Sequence, residues 1–404
     1  MLAALIRRVG SVAIGTAVGQ GLVLLVTPYL ARHYSPEAFG TLALLMTVSN
    51  ISTAVACLRY DLALPAAETP DTRGLLITAL TVACAIGVLG FVLLATLSNS
   101  FLTAQVGVLA QQPILVGTCI CFVGFFQATT AWFLRRGAFR AVALMRLSQG
   151  AWFSVFAVIP CVGLLWAHVL SFGAGLLGLR LALVPRKTTD VAWHEVALRY
   201  RHFPAVSLPG ALLDVSGYSI CIWVIATFYG QGTAGNYSQI QRLAGAPLML
   251  MSISLGQILL KQTADLSSDR VALRRFLTRI LRLMAALAVA GLVFLWFFGE
   301  PIVANLLGPQ WNVNRRFLIL VAIAVFVRAC VSPLSAVLIT LRRLGICLTW
   351  QALYFCSALL LMPLIAAWTK FEYFIFFYAL HECVFYGFYL TLIYRTMRLE
   401  GRRI

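Results

Sequence analysis

Ionisable side chains interrupt several long apolar segments of the sequence. They are Asp214, Arg242, Arg328, His381 and Glu382. A charge at the centre of a bilayer costs about 2.5–3.5 kcal/mol on insertion scales, so such residues face a partner or a water-filled cavity. These residue types can pair a cation with an acid, bind an anion, or exchange a proton or a metal cation.

Depth in the membrane follows from counting residues along each apolar segment. At 1.5 Å per residue, Arg242 lies roughly 10 Å, Arg328 roughly 18 Å and Asp214 roughly 24 Å below the outer surface. We therefore predict that Asp214 pairs with Arg328, since each charge is costly alone. His381 and Glu382 are also near mid-membrane. Being adjacent, they are not expected to share a helix face, and "HECVF" lacks the second His of a zinc-protease helix.

Arg242 has no acid at its own depth. Its neighbours Asn236, Gln239 and Gln241 make this end of the segment polar, which favours contact with water. A guanidinium holds phosphate oxygens bidentately, so the residue is suited to an anionic substrate. Snorkelling toward the outer headgroups is the alternative. Arg59, at the inner end of another apolar segment, is a second candidate for the same anion, although topology alone also explains it.

The elements that position these residues are membrane spans. The 404-residue chain is 61% hydrophobic and only 11% charged, far below the roughly 25% charged content of soluble domains. Its apolar runs are each near the ~20 residues that a helix needs to cross a bilayer. We predict twelve spans at about residues 10–31, 39–58, 74–97, 113–134, 144–164, 167–184, 204–228, 234–260, 279–298, 316–341, 346–368 and 372–394.

The net charge of +18 follows the membrane topology. With a cytoplasmic N-terminus, most Lys and Arg residues fall in inner segments, among them Arg135, Arg136, Arg140 and Arg146. The outer segments hold Arg32, Arg315, Arg316 and Lys370. The positive-inside rule then places both termini in the cytoplasm, and attraction to anionic lipid explains the rest of the charge. We expect no nucleic-acid partner.

Neither metal chemistry nor general acid–base catalysis is indicated. The ten cysteines form no CxxC or metal-spaced cluster, so we interpret them as small apolar residues and expect no metal or other cofactor. The outer segments 98–112, 161–167 and 229–233 carry no charge. Because they hold no acid or base, we predict that the protein is not an enzyme.

An internal repeat divides the chain into two halves. "LARHYSPEAFGTLAL" from Leu30 and "IATFYGQGTAGNYSQI" from Ile225 superpose at an offset of 195, which aligns Ala31 with Ala226, Tyr34 with Tyr229, and Gly40 with Gly235. We predict an all-α fold of two six-helix lobes related by a pseudo-twofold axis along the membrane normal. The N-terminal lobe covers 1–184, a cytoplasmic linker 185–203 and the C-terminal lobe 204–404. The linker is either a solvated loop or an interfacial helix through Val191, Val196 and Ala197.

Four segments resemble one protein family. They are "LARHYSPEAFG" from Leu30, "FYGQGTAGNYSQIQRLAGAPL" from Phe228, "FGEPIVANLLGPQW" from Phe298 and "VSPLSAVLITLRR" from Val331. Together with the twelve spans, they resemble Wzx-type O-antigen and polysaccharide flippases of the multidrug/oligosaccharidyl-lipid/polysaccharide (MOP) exporter superfamily.

The resemblance implies a function. It implies that an undecaprenyl-diphosphate-linked oligosaccharide moves to the periplasmic leaflet of a bacterial inner membrane by alternating access, driven by a proton or sodium gradient. It also implies a cationic cavity lined by spans one, two, seven and eight, which carry Arg59, Asp214 and Arg242, whereas Arg328 is on span ten. Expected partners are the lipid-linked oligosaccharide, membrane lipids and other polysaccharide assembly proteins.

Two other functions remain open. Drug or metabolite exporters of the same superfamily commonly carry an acid in span one, and the sequence has none between Arg8 and Arg32. A membrane-embedded polysaccharide polymerase or ligase is the second alternative, and the uncharged outer segments argue against it.

Overall fold

Helices account for all of the regular secondary structure in the described residues. The computed structural model describes residues 2–97, 107–183, 192–266, 270–311, 313–341 and 343–400. Those residues contain sixteen α-helices and no strand: α1 (Leu2–His33), α2 (Pro36–Val55), α3 (Tyr60–Ala63), α4 (Thr72–Leu97), α5 (Pro113–Arg135), α6 (Phe139–Val158), α7 (Gly163–Ser171), α8 (Leu177–Leu183), α9 (Trp193–Arg199), α10 (His202–Tyr229), α11 (Gln231–Asp265), α12 (Arg270–Leu307), α13 (Arg315–Val331), α14 (Ala336–Thr340), α15 (Leu344–Trp368) and α16 (Phe371–Glu400).

The long helices occupy the positions of the predicted spans. Among the described residues, ten helical segments are long and apolar enough to cross a membrane, and Gly163–Ser171 with Gly173–Leu183, bent by 41°, forms an eleventh at the sixth predicted position. Helix α11, which is 35 residues long, occupies the eighth. The all-helical fold with its order of spans is therefore confirmed.

The fifth span begins and ends earlier than predicted. Gly137 adopts φ = 65° after α5, which allows the chain to turn at once into α6. Pro160 lacks an N–H group and Gly163 adopts φ = 71°, and these residues form the turn after Val158. The apolar run thus continues across a turn. Arg146, predicted in an inner loop, lies inside α6, roughly 10 Å from its start.

Two other spans are interrupted. Helix α2 ends at Val55, and the turn that follows holds Leu58 and Arg59 at φ = 44° and 63°, a strained conformation for residues with a β-carbon. Helix α13 ends at Val331, and Pro333 lies in the short 3₁₀ segment that leads into α14. Hydropathy does not detect the break at Val331, because most residues on either side of it are apolar.

The internal repeat is present in the structure. Helix α1 packs along α6 in the first half, and α10 packs along α15 in the second. The tyrosines aligned by the repeat make equivalent contacts. Tyr34 donates from its hydroxyl to the carbonyl of Ala157 at 3.0 Å, and Tyr229 donates to the carbonyls of Ala366 and Thr369 at 3.3 and 3.0 Å. The two halves therefore share one packing arrangement.

The two halves meet at the predicted outer end. Helix α2 of the first half packs against α11 of the second. The Thr41 hydroxyl donates to the side-chain oxygen of Gln231 at 2.8 Å. The indole of Trp311 donates to the carbonyl of Ala31 at 2.9 Å. These contacts join the first two spans to the eighth and to the turn that precedes the tenth.

The linker region contains a short helix that is held on the first half. Val196 of α9 is fully buried, Tyr60 donates to the carbonyl of Ala197 at 3.2 Å, and Arg199 binds both carboxylate oxygens of Asp71 at 2.7 and 2.9 Å. Residues 184–191, including Val191, lie outside the described residues. The lobe boundaries at 184 and 204 stay a prediction.

Candidate functional site

Arg242 projects from the second half of the protein toward the first. It is half-buried on α11, and its guanidinium lies 5.9 Å from the ring centroid of Phe153 on α6. Within the described part of the chain it has neither an acidic partner nor a hydrogen bond. An aromatic ring attracts a cation without neutralising its charge. The charge of Arg242 therefore remains available to an anion.

Arg146 is a second intramembrane cation, which the sequence analysis missed. It is half-buried on α6, and its guanidinium lies 5.1 Å from the ring centroid of Phe126 on α5. No carboxylate among the described residues pairs with it. Arg146 and Phe153 are two helical turns apart, roughly 10 Å along α6. The sequence signal was the position of Gly137, from which the start of α6 could have been counted.

Aromatic rings connect the two arginines. Phe126 lies 5.6 Å from Phe172, Phe172 lies 5.4 Å from His168, and His168 lies 6.4 Å from Phe153, all measured between ring centroids. The His168 ring is held by a 2.8 Å hydrogen bond between its Nε2 atom and the hydroxyl of Ser49 on α2. The row of rings thus runs through the first half, and at each end lies a guanidinium that has no carboxylate partner among the described residues.

Arg59 is in a different environment from Arg242. Its backbone is left-handed where α2 ends, and its Nε atom is buried without a hydrogen-bond partner among the described residues. Asp61, also missed by the sequence analysis, is buried nearby between two spans. Burial raises the pKa of the Asp61 carboxyl, and the charge of Arg59 opposes that rise. Arg59 thus lies close to an acid.

Arg328 is neutralised inside the second half. Its Nε atom lies 3.5 Å from the carboxylate of Glu382, which is almost fully buried. It donates to the hydroxyls of Tyr386 at 2.8 Å and Tyr354 at 2.9 Å, and Tyr354 in turn donates to Glu382. The guanidinium also lies 4.3 Å from the ring of Tyr218. Helices α10, α13, α15 and α16 are joined by this cluster.

The predicted pair between Asp214 and Arg328 is wrong. Asp214 is exposed on α10 and forms no ion pair with Arg328, which lies against Glu382 instead. Counting residues gave the depth of each charge but not the direction in which its helix face points. Arg328 turns toward α15 and α16, where Glu382 lies.

His381 and Glu382 both reach α15, although they are adjacent in the sequence. His381 Nε2 lies 2.9 Å from the hydroxyl of Ser357, and its ring centroid lies 5.3 Å from that of Tyr354, the residue that binds Glu382. His381 Nδ1 is 4.0 Å from a Glu382 oxygen. In the part of the chain that the structure describes, no group of three or more His, Cys, Asp or Glu residues could hold a metal ion.

Comparison with known proteins places this arrangement in a family. Residues 29–315 match the model of a family described as polysaccharide biosynthesis protein, and the chain belongs to that family. No curated protein sequence matches it.

Solved structures share the fold. An inward-facing multidrug resistance MATE family transporter of the MOP superfamily matches with a TM-score of 0.68 at 12% identity, over 96% of this chain and 99% of that chain. The lipid II flippase MurJ in an inward closed conformation matches with a TM-score of 0.67 at 12% identity, over 97% and 99% of the two chains. An outward-facing MATE transporter gives 0.56 at 13% identity, over 98% and 96%.

At these identities the structural matches show the fold alone, which the chain shares with the MATE transporters and MurJ. Family and fold together define a multi-pass membrane protein of the polysaccharide biosynthesis family.

Proposed function

We propose that the protein moves an undecaprenyl-diphosphate-linked oligosaccharide, such as an O-antigen repeat unit of lipopolysaccharide, from the cytoplasmic to the periplasmic leaflet of a bacterial inner membrane. The observation that carries the proposal is the guanidinium of Arg242 between the two halves, which has no acidic partner among the described residues. Membership of a polysaccharide biosynthesis family supports a sugar-containing cargo. Both termini are proposed to be cytoplasmic, as the distribution of basic residues indicates.

The cargo's diphosphate is the group that lipid excludes most strongly. Arg242 would bind its oxygens with the planar fork of the guanidinium, which suits two phosphate oxygens at once. Arg146 lies two helical turns from Phe153 on α6. It would bind the same anion at a second depth in the membrane. Separation of α2 from α11 would open the outer end, and a rocking motion of the two halves would carry the diphosphate across.

Coupling to a proton or sodium gradient is part of the proposal, and no other cofactor is required. Asp214 is the candidate coupling acid, because it is exposed on α10 within electrostatic range of Arg328. Protonation or cation binding at Asp214 would change the electric field at Arg328. That change would favour one arrangement of the two halves over the other. Contacts with other polysaccharide assembly proteins are proposed on the family alone.

An exporter of cationic drugs is less compatible with the site. The guanidiniums of Arg146 and Arg242, which have no carboxylate partner in the described part of the chain, attract anions and repel cations, and the charge of Arg328 is neutralised by Glu382. A polymerase or ligase would need an acid or base positioned at the sugar, and the outer turns 159–162 and 230 hold none. We therefore propose transport rather than catalysis.

The test is deletion of the gene in its host. Lipid-linked sugar should accumulate in the inner leaflet of the membrane, and a copy of the intact chain should restore export. Enzymatic probing of sealed vesicles measures how the lipid-linked sugar is distributed between the two leaflets. Mass spectrometry of the extracted lipid identifies the sugar. An unchanged leaflet distribution, together with a loss of drug efflux, would reject the proposal in favour of the exporter.

A further inference from the structure

A groove lined by arginines lies at the start of α12, far from Arg242. It has a volume of about 460 Å³ and is lined by Val271, Arg274, Arg275, Thr278, Arg279 and Arg282. All of these residues belong to α12, and the hydroxyls of Thr278 and Tyr394, which lie 3.0 Å apart, tie this face of the helix to α16. The groove is therefore formed on one face of α12, at its contact with α16.

The four arginines of the groove are all exposed. None pairs with an acid among the residues that the structure describes, and the sequence from Arg270 to Arg282 contains no Asp or Glu. Like charges three to five residues apart on a helix repel one another. An anion seated between them would relieve this repulsion, so the charge pattern fits an anionic ligand.

The position of the groove indicates a lipid. Helix α12 is 38 residues long, roughly 57 Å, and so exceeds the ~30 Å hydrocarbon core. The arginines occupy its first turns. Directly after them, Leu283, Leu287, Val289 and Val293 are exposed, as lipid-facing residues of a membrane helix are. A phosphate in the groove would thus continue into acyl chains along the same helix.

The cargo of the proposed transport is a poorer candidate for this groove. Helix α12 packs on α13, and little of its apolar part is buried. The hydrogen bond that ties it to the first half, from Arg32 to the carbonyl of Asn305 at 3.0 Å, is at its opposite end. The groove consequently lies on the periphery, away from the surface between the halves.

We propose that this groove binds the headgroup phosphate of a resident anionic phospholipid. Among Arg274, Arg275, Arg279 and Arg282, one guanidinium binds the two free phosphate oxygens bidentately and the others add positive charge around it. Leu283 and Leu287 contact the acyl chain. On the proposed topology the lipid belongs to the cytoplasmic leaflet, where basic residues next to a span attract anionic lipid. The site is independent of the cargo and of Arg242.

The experiment measures lipid bound to the purified full-length protein by native mass spectrometry. Phosphatidylglycerol is the anionic probe and phosphatidylcholine the zwitterionic one. The variant R274Q/R275Q/R279Q/R282Q should bind phosphatidylglycerol more weakly than the unaltered protein by roughly tenfold or more. The control variant R140Q/R180Q/R201Q/R316Q loses the same charge at exposed arginines elsewhere and should bind normally. Phosphatidylcholine should bind weakly to all three proteins.

Two outcomes would overturn the site. An equal loss in the control variant would mean diffuse attraction to net charge, and full displacement of the lipid by millimolar inorganic phosphate would mean a site for a free anion. If the glutamine variant does not fold, the variant R274K/R275K/R279K/R282K keeps the charge and removes the planar fork. It should bind phosphatidylglycerol more weakly than the unaltered protein, and equal binding would contradict the bidentate contact.

Discussion

Gly40 and Gly235 each pack against the backbone of the other's helix. A β-carbon on Gly40 would lie 1.9 Å from the carbonyl oxygen of Gln231, and one on Gly235 would lie 1.9 Å from that of Pro36. The two contacts are equivalent, because Pro36 and Gln231 are separated by the same offset as the two glycines. Helices α2 and α11 thus cross at a local twofold axis, and only glycine allows so close an approach at the outer end.

Gly40→Ala should hold the outer end open. The added β-carbon clashes with backbone, and overpacking of this kind costs about 1–3 kcal/mol. We expect the closed-outside arrangement to lose population roughly tenfold, and transport to fall. The measurement is labelling of a cysteine at position 241 by a membrane-impermeant maleimide, in a chain without its native cysteines. Labelling should become faster in the variant.

Gly21→Ala provides the matched control for this substitution. Gly21 lies in α1, and a β-carbon there meets nothing within 4 Å. Labelling should keep the rate of the unaltered chain. If Gly40→Ala labels no faster than Gly21→Ala, the glycine contact does not close the outer end.

Arg242 should be required for transport through the geometry of its guanidinium as well as its charge. Arg242→Ala removes both, so export of lipid-linked sugar should fall by roughly tenfold or more at equal expression. Arg242→Lys keeps the charge but loses the planar fork, and export should fall only partly. Near-normal export by both variants would show that the side chain does not contact the cargo.

Arg146→Gln should reduce export by roughly tenfold, because it removes a charge–phosphate contact within the membrane. Arg140→Gln is the control on the same helix, since Arg140 is exposed in the first turn of α6. Both variants lose one positive charge, so a difference in export between them shows that the position of the charge matters and not its loss alone. The same assay in the deletion strain measures both, and equal export would argue against a second cation site.

Glu382→Gln should destabilise the protein by about 3–5 kcal/mol, because it leaves the Arg328 charge without its buried partner. Asp214→Asn should cost far less, since Asp214 is exposed and forms no ion pair among the described residues. Thermal unfolding of the purified protein in detergent compares the two. A larger loss of stability for Asp214→Asn than for Glu382→Gln would instead support the pair of Asp214 with Arg328 that the sequence predicted.

The stability contributed by Asp61 should depend on pH. Burial raises the pKa of its carboxyl in the folded protein above the unfolded value of about 3.9. The folded state then binds the proton more tightly, so this contribution is complete at low pH and is lost as pH rises through the folded pKa. Asp61→Asn should stabilise the protein at neutral pH, and the gain should shrink on acidification.

Asp71→Asn should have the opposite effect to Asp61→Asn at neutral pH, because Asp71 binds Arg199 through both oxygens. Thermal unfolding at several pH values measures both variants. A gain from Asp61→Asn that stays constant between neutral and acidic pH would contradict the assignment of Asp61 as a carboxyl with a raised pKa.

The all-helical fold, the order of the spans and the internal repeat could be predicted from the sequence. Apolar length and turn residues are local properties of the chain, so the twelve spans and the offset that aligns Tyr34 with Tyr229 could be found without a fold. The same reasoning found Arg242, because a lone cation in an apolar run can be recognised from the sequence alone. It failed at α6, where the apolar run continues through the turn at Pro160.

Which charges meet depends on how the helices pack against one another. Depth follows from counting along a helix, but the direction of a side chain depends on how neighbouring helices pack around it. Glu382 rather than Asp214 therefore neutralises Arg328, and Arg146 lies against the ring of Phe126, with no carboxylate beside it in the part of the chain that the structure describes. Both contacts join residues on different helices, and no local property of the chain encodes the rotation of one helix against another.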